Sequence, residues 1–162
     1  MKKGVARDAL RLLDYGERER MNCFQCYNVF IMRSDTRNWI ALAEYDLETA
    51  RHMLKTGRNL YVIFLCHLAL EKMLKALVTE ITQTVPFKTH DLILLLKKGG
   101  LELPQDYLEF IGKINSASIP TRYPEDLERA LKVYPKSVAR DYLKQTTEIV
   151  QWLKKQPTLS ES

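Results

Sequence analysis

RNLYVIFLCHLALEKMLKAL, residues Arg58–Leu77, decides the fold. It starts apolar around most of a helical circumference and then opens a polar arc with Glu71, Lys72, Lys75 and Thr79. A helix apolar on nearly all sides must lie between neighbours, so this stretch is the central element of a helical bundle. At 100° per residue His67 and Glu71 stand one turn apart on the side that carries Leu60, Phe64 and Leu74. Polar groups so close to an apolar stripe need partners.

On either side of this element the helical period continues. A first helix is expected from about Thr36 to Thr56, with Ser34 and Asp35 as candidate N-caps and Gly57 as its stop. Its apolar face carries Trp39, Ile40, Ala43, Leu47, Ala50 and Leu54. The central helix runs from about Asn59 to Ile81, and Pro86 ends any continuation. Thr89 then caps a third helix, with Asp91 in its first turn and Gly99-Gly100 at its end. A fourth starts near Pro104 and buries Tyr107, Phe110, Ile111 and Ile114. A loop is expected through Asn115–Pro124, where Pro120 and Pro124 act as breakers. A short turn of helix around Glu125–Lys132 precedes a last helix from Pro135 to about Lys155. No strand pattern, repeat or low-complexity segment intervenes. The expected fold class is all-α, an antiparallel up-and-down bundle of four to five main helices.

The domain reading is an extension over 1–34, a bundle over 35–156 and a tail over 157–162. The 162 residues suffice for one domain with a real core. In the extension a short helix around Ala6–Tyr15 fits the leucines, and Met32 is a candidate translation start. Residues 1–34 hold seven Lys/Arg and four Asp/Glu, against 18 and 16 in the remainder, so most of the formal +5 charge lies outside the bundle. A balanced bundle surface removes global charge as an argument for nucleic acid. Three cysteines, no signal-peptide pattern and no apolar run of membrane-spanning length lead to an expected cytoplasmic location without membrane association. Cys23-x-x-Cys26 is half a zinc site without a second pair at finger-like spacing, and Lys97-Lys98-Gly99-Gly100 lacks the rest of a phosphate loop. No metal or cofactor is expected.

Trp39 with Ala43 through Leu54, CHLALEKMLKAL (Cys66–Leu77), THDL (Thr89–Leu92), RYP (Arg122–Pro124) and the final Trp152-Leu153 follow one another in an order and spacing that resemble the HEPN family of small helical prokaryotic domains. The likeness spans roughly residues 35–155. It implies an antiparallel helical bundle, frequent homodimers, and frequent pairing with small nucleotidyltransferases in toxin–antitoxin systems. Some members are metal-independent ribonucleases that carry an arginine followed, after four to six residues, by a histidine in a late helix. This chain departs from that pattern. Its histidines are His52, His67 and His90, none preceded by arginine at that distance and none in the last helix. The resemblance thus implies a non-catalytic partner of a nucleotidyltransferase, with no catalytic residues, and a ribonuclease toxin as the alternative.

Five residues are candidates for contact with a nucleotide, RNA or a protein partner. Lys72 and Lys75 can face a ligand phosphate, while Glu71–Lys75 equally reads as a structural ion pair. His90, beside Asp91 at a helix start, lies where backbone N–H groups bind phosphate or are simply capped. Arg122 and Tyr123 in the expected loop suit a nucleotide or partner, or Arg122 anchors the loop on helix carbonyls. His67, Glu71 and Lys75 form an expected buried polar network. Tyr61, Val62, Leu65 and Leu68, on arcs away from the Leu60/Leu74 side, point to a homodimer interface.

Overall fold

The computed structural model describes residues 32–159. The expected helix around Ala6–Tyr15 and the Cys23/Cys26 pair lie outside the described residues. Six helices follow: α1 Ser34–Lys55, α2 Asn59–Thr82, α3 Leu92–Gly99, α4 Gln105–Arg122, α5 Leu127–Val133 and α6 Lys136–Lys154. Four are long and two are short, and there is no strand among the described residues. No helix among them is long and apolar enough to cross a membrane.

The all-round apolar surface of α2 places it in the middle, where it packs against every other helix. From Met73 to Glu80 every residue of α2 is buried. Val62, expected at a dimer surface, is also fully buried, because α2 is enclosed on that arc too. Tyr61 alone of the four proposed interface residues is exposed, and Leu65 and Leu68 are half-buried. Ala43, Leu47 and Ala50 carry α1 onto α2, and the turn through Thr56, Gly57 and Arg58 is short enough to force the two helices antiparallel. Gly57 sits at φ +74°, a left-handed conformation that favours glycine. Two edge-to-face pairs join α4 to α6: Tyr107 with Trp152 at 5.7 Å, and Phe110 with Tyr142 at 5.4 Å.

Several helix ends differ from the sequence expectation. Ser34 and Asp35 are inside α1 rather than capping it; the N-cap is Arg33, whose guanidinium clasps Asp35 at 2.9 and 2.8 Å. Asp91, not Thr89, caps α3, accepting from the N–H groups of Ile93 and Leu94 at 2.9 and 3.3 Å. Thr89 Oγ1 instead accepts the Asp91 N–H at 3.1 Å, one step outside the cap. The largest difference is α4, which runs to Arg122 through Pro120 where a loop was expected. A proline leaves the carbonyl four residues back without its donor. Here Ala117, Ser118 and Thr121 are buried, and Thr121 Oγ1 donates to the Ala117 carbonyl at 2.8 Å. Packing and side-chain hydrogen bonds hold the turn that the proline weakens.

The packed unit also reaches beyond residues 35–156. Met32 and Leu159 are buried. The Arg33 N–H and the Thr36 hydroxyl both donate to Glu80 Oε2, at 3.4 and 2.5 Å, so the start of α1 is fastened to the end of α2.

Candidate functional site

Phe64, His67, Glu71 and Lys75 recur at three- and four-residue spacing and so share one stripe of α2. Neighbouring elements bring Trp39, His90 and Arg122 onto that stripe. Glu71 is at its centre. Its Oε1 accepts from Lys75 Nζ at 2.7 Å, and its Oε2 meets His90 Nδ1 at 2.9 Å. Burial pushes the Glu71 carboxyl up, but the bonds from Lys75 and His90 outweigh it and hold the group below the usual carboxylate range. An ionised carboxylate can only accept, so His90 Nδ1 carries the proton, on a side chain that is 68% exposed. Lys75 is enclosed, with its ammonium 5.3 Å from the centre of the Trp39 ring.

His67 is buried with Glu71 and Lys75, as expected, but makes no bond to Glu71. Its side chain is fully buried and neither ring nitrogen makes a hydrogen bond of good geometry, although the His90 backbone lies close. Burial pushes its pKa down to about 4, with Arg122 and His90 adding to the effect and the charge of Glu71 and the backbone of His90 opposing it. The network therefore consists of Glu71, Lys75 and His90, and His67 lies beneath it as a neutral ring.

The other sequence candidates separate. Lys72 leaves the stripe and pairs with Asp46 of α1, Nζ to Oδ2 at 2.5 Å. Arg122 closes α4 rather than lying in a loop: its Nε donates to the Ser118 carbonyl at 3.2 Å and its guanidinium lies 5.2 Å from the Phe64 ring centre. Tyr123 caps α4 and is exposed. It lines a cleft of about 370 Å³ between the end of α4 and α5, together with Ile119, Pro120, Arg129 and Tyr134. No residue of α5 is buried.

Three residues important to this geometry go beyond the sequence reading. Asp46 lies between Ala43, Leu47 and Ala50 on the buried face of α1, and an acid inside an apolar stripe is the signal that could have found it. Asn115 of α4 accepts the Leu92 N–H at 2.9 Å and donates to Asp91 Oδ1 at 3.3 Å, which clamps the start of α3. Trp39, which periodicity assigns only to the core, lies against the Lys75 ammonium. Among the described residues no three His, Cys, Asp or Glu side chains are placed to hold a metal. Cys66 offers no nucleophile, since burial pushes its thiol up to about 12.

Against known proteins, the HEPN domain model matches residues 36–156. Two solved structures are similar over nearly their whole length. TT1696 from Thermus thermophilus is 24% identical with a TM-score of 0.66, covering 76% of this chain and 98% of its own. ST0689, described as an archaeal HEPN homologue, is 27% identical with a TM-score of 0.61, covering 75% of this chain and 96% of its own. No curated protein matches significantly. The first likeness speaks for the fold alone. The family model, however, spans every helix from α1 to α6 and contains the whole Glu71 stripe, and on that ground this chain belongs to the HEPN domain family.

Proposed function

We propose that the protein works by association, as a homodimeric HEPN module that binds a small nucleotidyltransferase in a toxin–antitoxin-like pair and performs no chemistry of its own. The observation that carries this reading is the engagement of the cations. Lys72 is neutralised by Asp46, Lys75 by Glu71, and Arg122 is held between the Ser118 carbonyl and the Phe64 ring. Metal-independent RNA cleavage needs a base, an acid and a free cation for the developing phosphorane. The lysines and arginine singled out from the sequence are all committed within the fold, and His67 is enclosed. Exposed Tyr61, beside a groove of about 600 Å³ that Met53, Phe64 and Leu65 also line, supports a dimer surface between α1 and α2. The cleft beside Tyr123 is the candidate nucleotide groove.

The test is co-purification with a small nucleotidyltransferase encoded next to this chain, combined with light scattering. A stable complex built on a dimer is expected; no complex at micromolar concentration, or a monomer, overturns the corresponding part. Calorimetric titration of ATP and GTP against wild type and Tyr123→Ala tests the nucleotide groove.

One observation favours the ribonuclease alternative. His90 is oriented by a buried carboxylate through Nδ1 on a largely exposed side chain, an arrangement that suits a histidine acid–base. RNA cleavage with metal chelated, abolished by His90→Ala and Arg122→Ala, would establish it in place of the association reading.

A further inference from the structure

Between Ile81 and Leu101 the chain carries three lysines, Lys88, Lys97 and Lys98, and one acid, Asp91. Asp91 is occupied as the cap of α3 and as the acceptor of Asn115. None of the three lysines has an ion pair among the described residues. In the same stretch Ile81, Val85, Phe87 and Leu94 are exposed, Val85 at 80%. Lys98 Nζ lies 5.4 Å from the centre of the Phe87 ring, which ties the α2–α3 loop to the outer face of α3. Leu94 stands one turn before Lys98 on that face. Lys97 and Lys98 also suit the carbonyl end of α3, but this accounts neither for Lys88 nor for the exposed apolar side chains of the connection, Val85 and Phe87, and of the helix turns on either side of it, Ile81 and Leu94.

We propose that this surface docks a segment of a partner protein in which acidic residues alternate with apolar anchors. The lysines supply unpaired positive charge and the exposed side chains apolar surface, the two components of a protein–protein contact. Charge complementarity selects an acidic occupant. A nucleic acid fits less well, because single strands are held by stacking on open aromatic rings. Here three of the four apolar residues are aliphatic, and one face of Phe87 already carries an ammonium. The proposal does not require the partner to be a nucleotidyltransferase.

Anisotropy of a labelled peptide of Asp-Leu-Glu-Phe repeats, titrated with the full chain, tests it. A Lys-Leu-Lys-Phe peptide, an oligouridylate and phosphatidylserine vesicles serve as competing occupants. The acidic peptide alone is expected to bind, more weakly as salt rises. Affinity should fall by about tenfold or more in the triple variant Lys88→Glu, Lys97→Glu, Lys98→Glu, and separately in Val85→Ser with Phe87→Ser. All five positions are exposed, so both variants should retain the wild-type circular dichroism and melt. No binding of the acidic peptide, binding that survives either variant, or tighter binding of the oligouridylate or vesicles overturns the proposal. A lower native mass of the variants would assign the surface to a second copy and overturn it equally.

Discussion

Because His67 is buried as a neutral ring, acid should destabilise this protein through one identifiable residue. Its pKa is about 4 in the folded chain against an ordinary 6.5. Between those values the unfolded chain binds a proton that the folded chain does not. Stability therefore rises with pH across this window and is lost as pH falls through it. At about 1.4 kcal/mol per pH unit, moving from about pH 7 to about pH 4.5 removes about 2.5 kcal/mol through His67 alone. The perturbation is His67→Leu, which is of similar size and does not titrate. Urea denaturation of both proteins at the two pH values gives four unfolding free energies. The wild-type loss should exceed that of the variant by about 2.5 kcal/mol. At neutral pH the variant should be at least as stable as wild type, because an unpaired buried polar group costs about 1–3 kcal/mol. Parallel losses in the two proteins would show that the ring protonates equally in both states and is not enclosed. A variant much less stable at neutral pH would show that the ring has a partner there. Glu71 does not confuse the comparison. Its pKa is lowered, so its contribution is fully present above the ordinary carboxylate value and is lost only as pH falls through a more acidic range.

Glu71→Ala should cost about 3 kcal/mol by chemical denaturation, since it leaves the Lys75 ammonium buried without its counterion, while His90→Ala on the exposed side of the same carboxylate should cost less than about 1 kcal/mol. Equal losses for the two would mean that the exposed bond matters as much as the enclosed one. A double-mutant cycle on Asp46→Ala and Lys72→Ala should return a coupling of about 1–3 kcal/mol, because Asp46 is buried and its pairing joins α1 to α2; additive single effects would contradict this. Pro120→Ala should raise stability by about 1–2 kcal/mol, as it restores a donor to the Ser116 carbonyl within α4. A lower melting temperature would mean that the proline's rigidity outweighs the missing bond.

How the chain folds is largely legible in its sequence, and the reason is local. Helical period, an all-round apolar stretch and left-handed stops are properties of neighbouring residues. Arg58–Leu77 could be placed at the centre, the faces of α1 and α4 drawn, and Gly57 and Gly100 marked as ends from the chain alone; both glycines have positive φ. The Glu71–Lys75 pair was legible for the same reason, being one turn apart on one helix. What tertiary structure decided are the meetings between distant segments. Angular position allowed Glu71 to bond His67, but docking of the α2–α3 loop supplied His90 from 19 residues away instead. Lys72 was turned from a ligand candidate into a structural ion by Asp46, 26 residues earlier on the facing helix. Pro120 broke nothing, because the burial of Ala117, Ser118 and Thr121 outweighs a local preference that acts through one hydrogen bond. The burial of His67, and with it the pH dependence of stability, arises only when the surrounding elements close over α2. Periodicity places a side chain on a face, whereas its partner, its exposure and its charge state depend on which other helix arrives there.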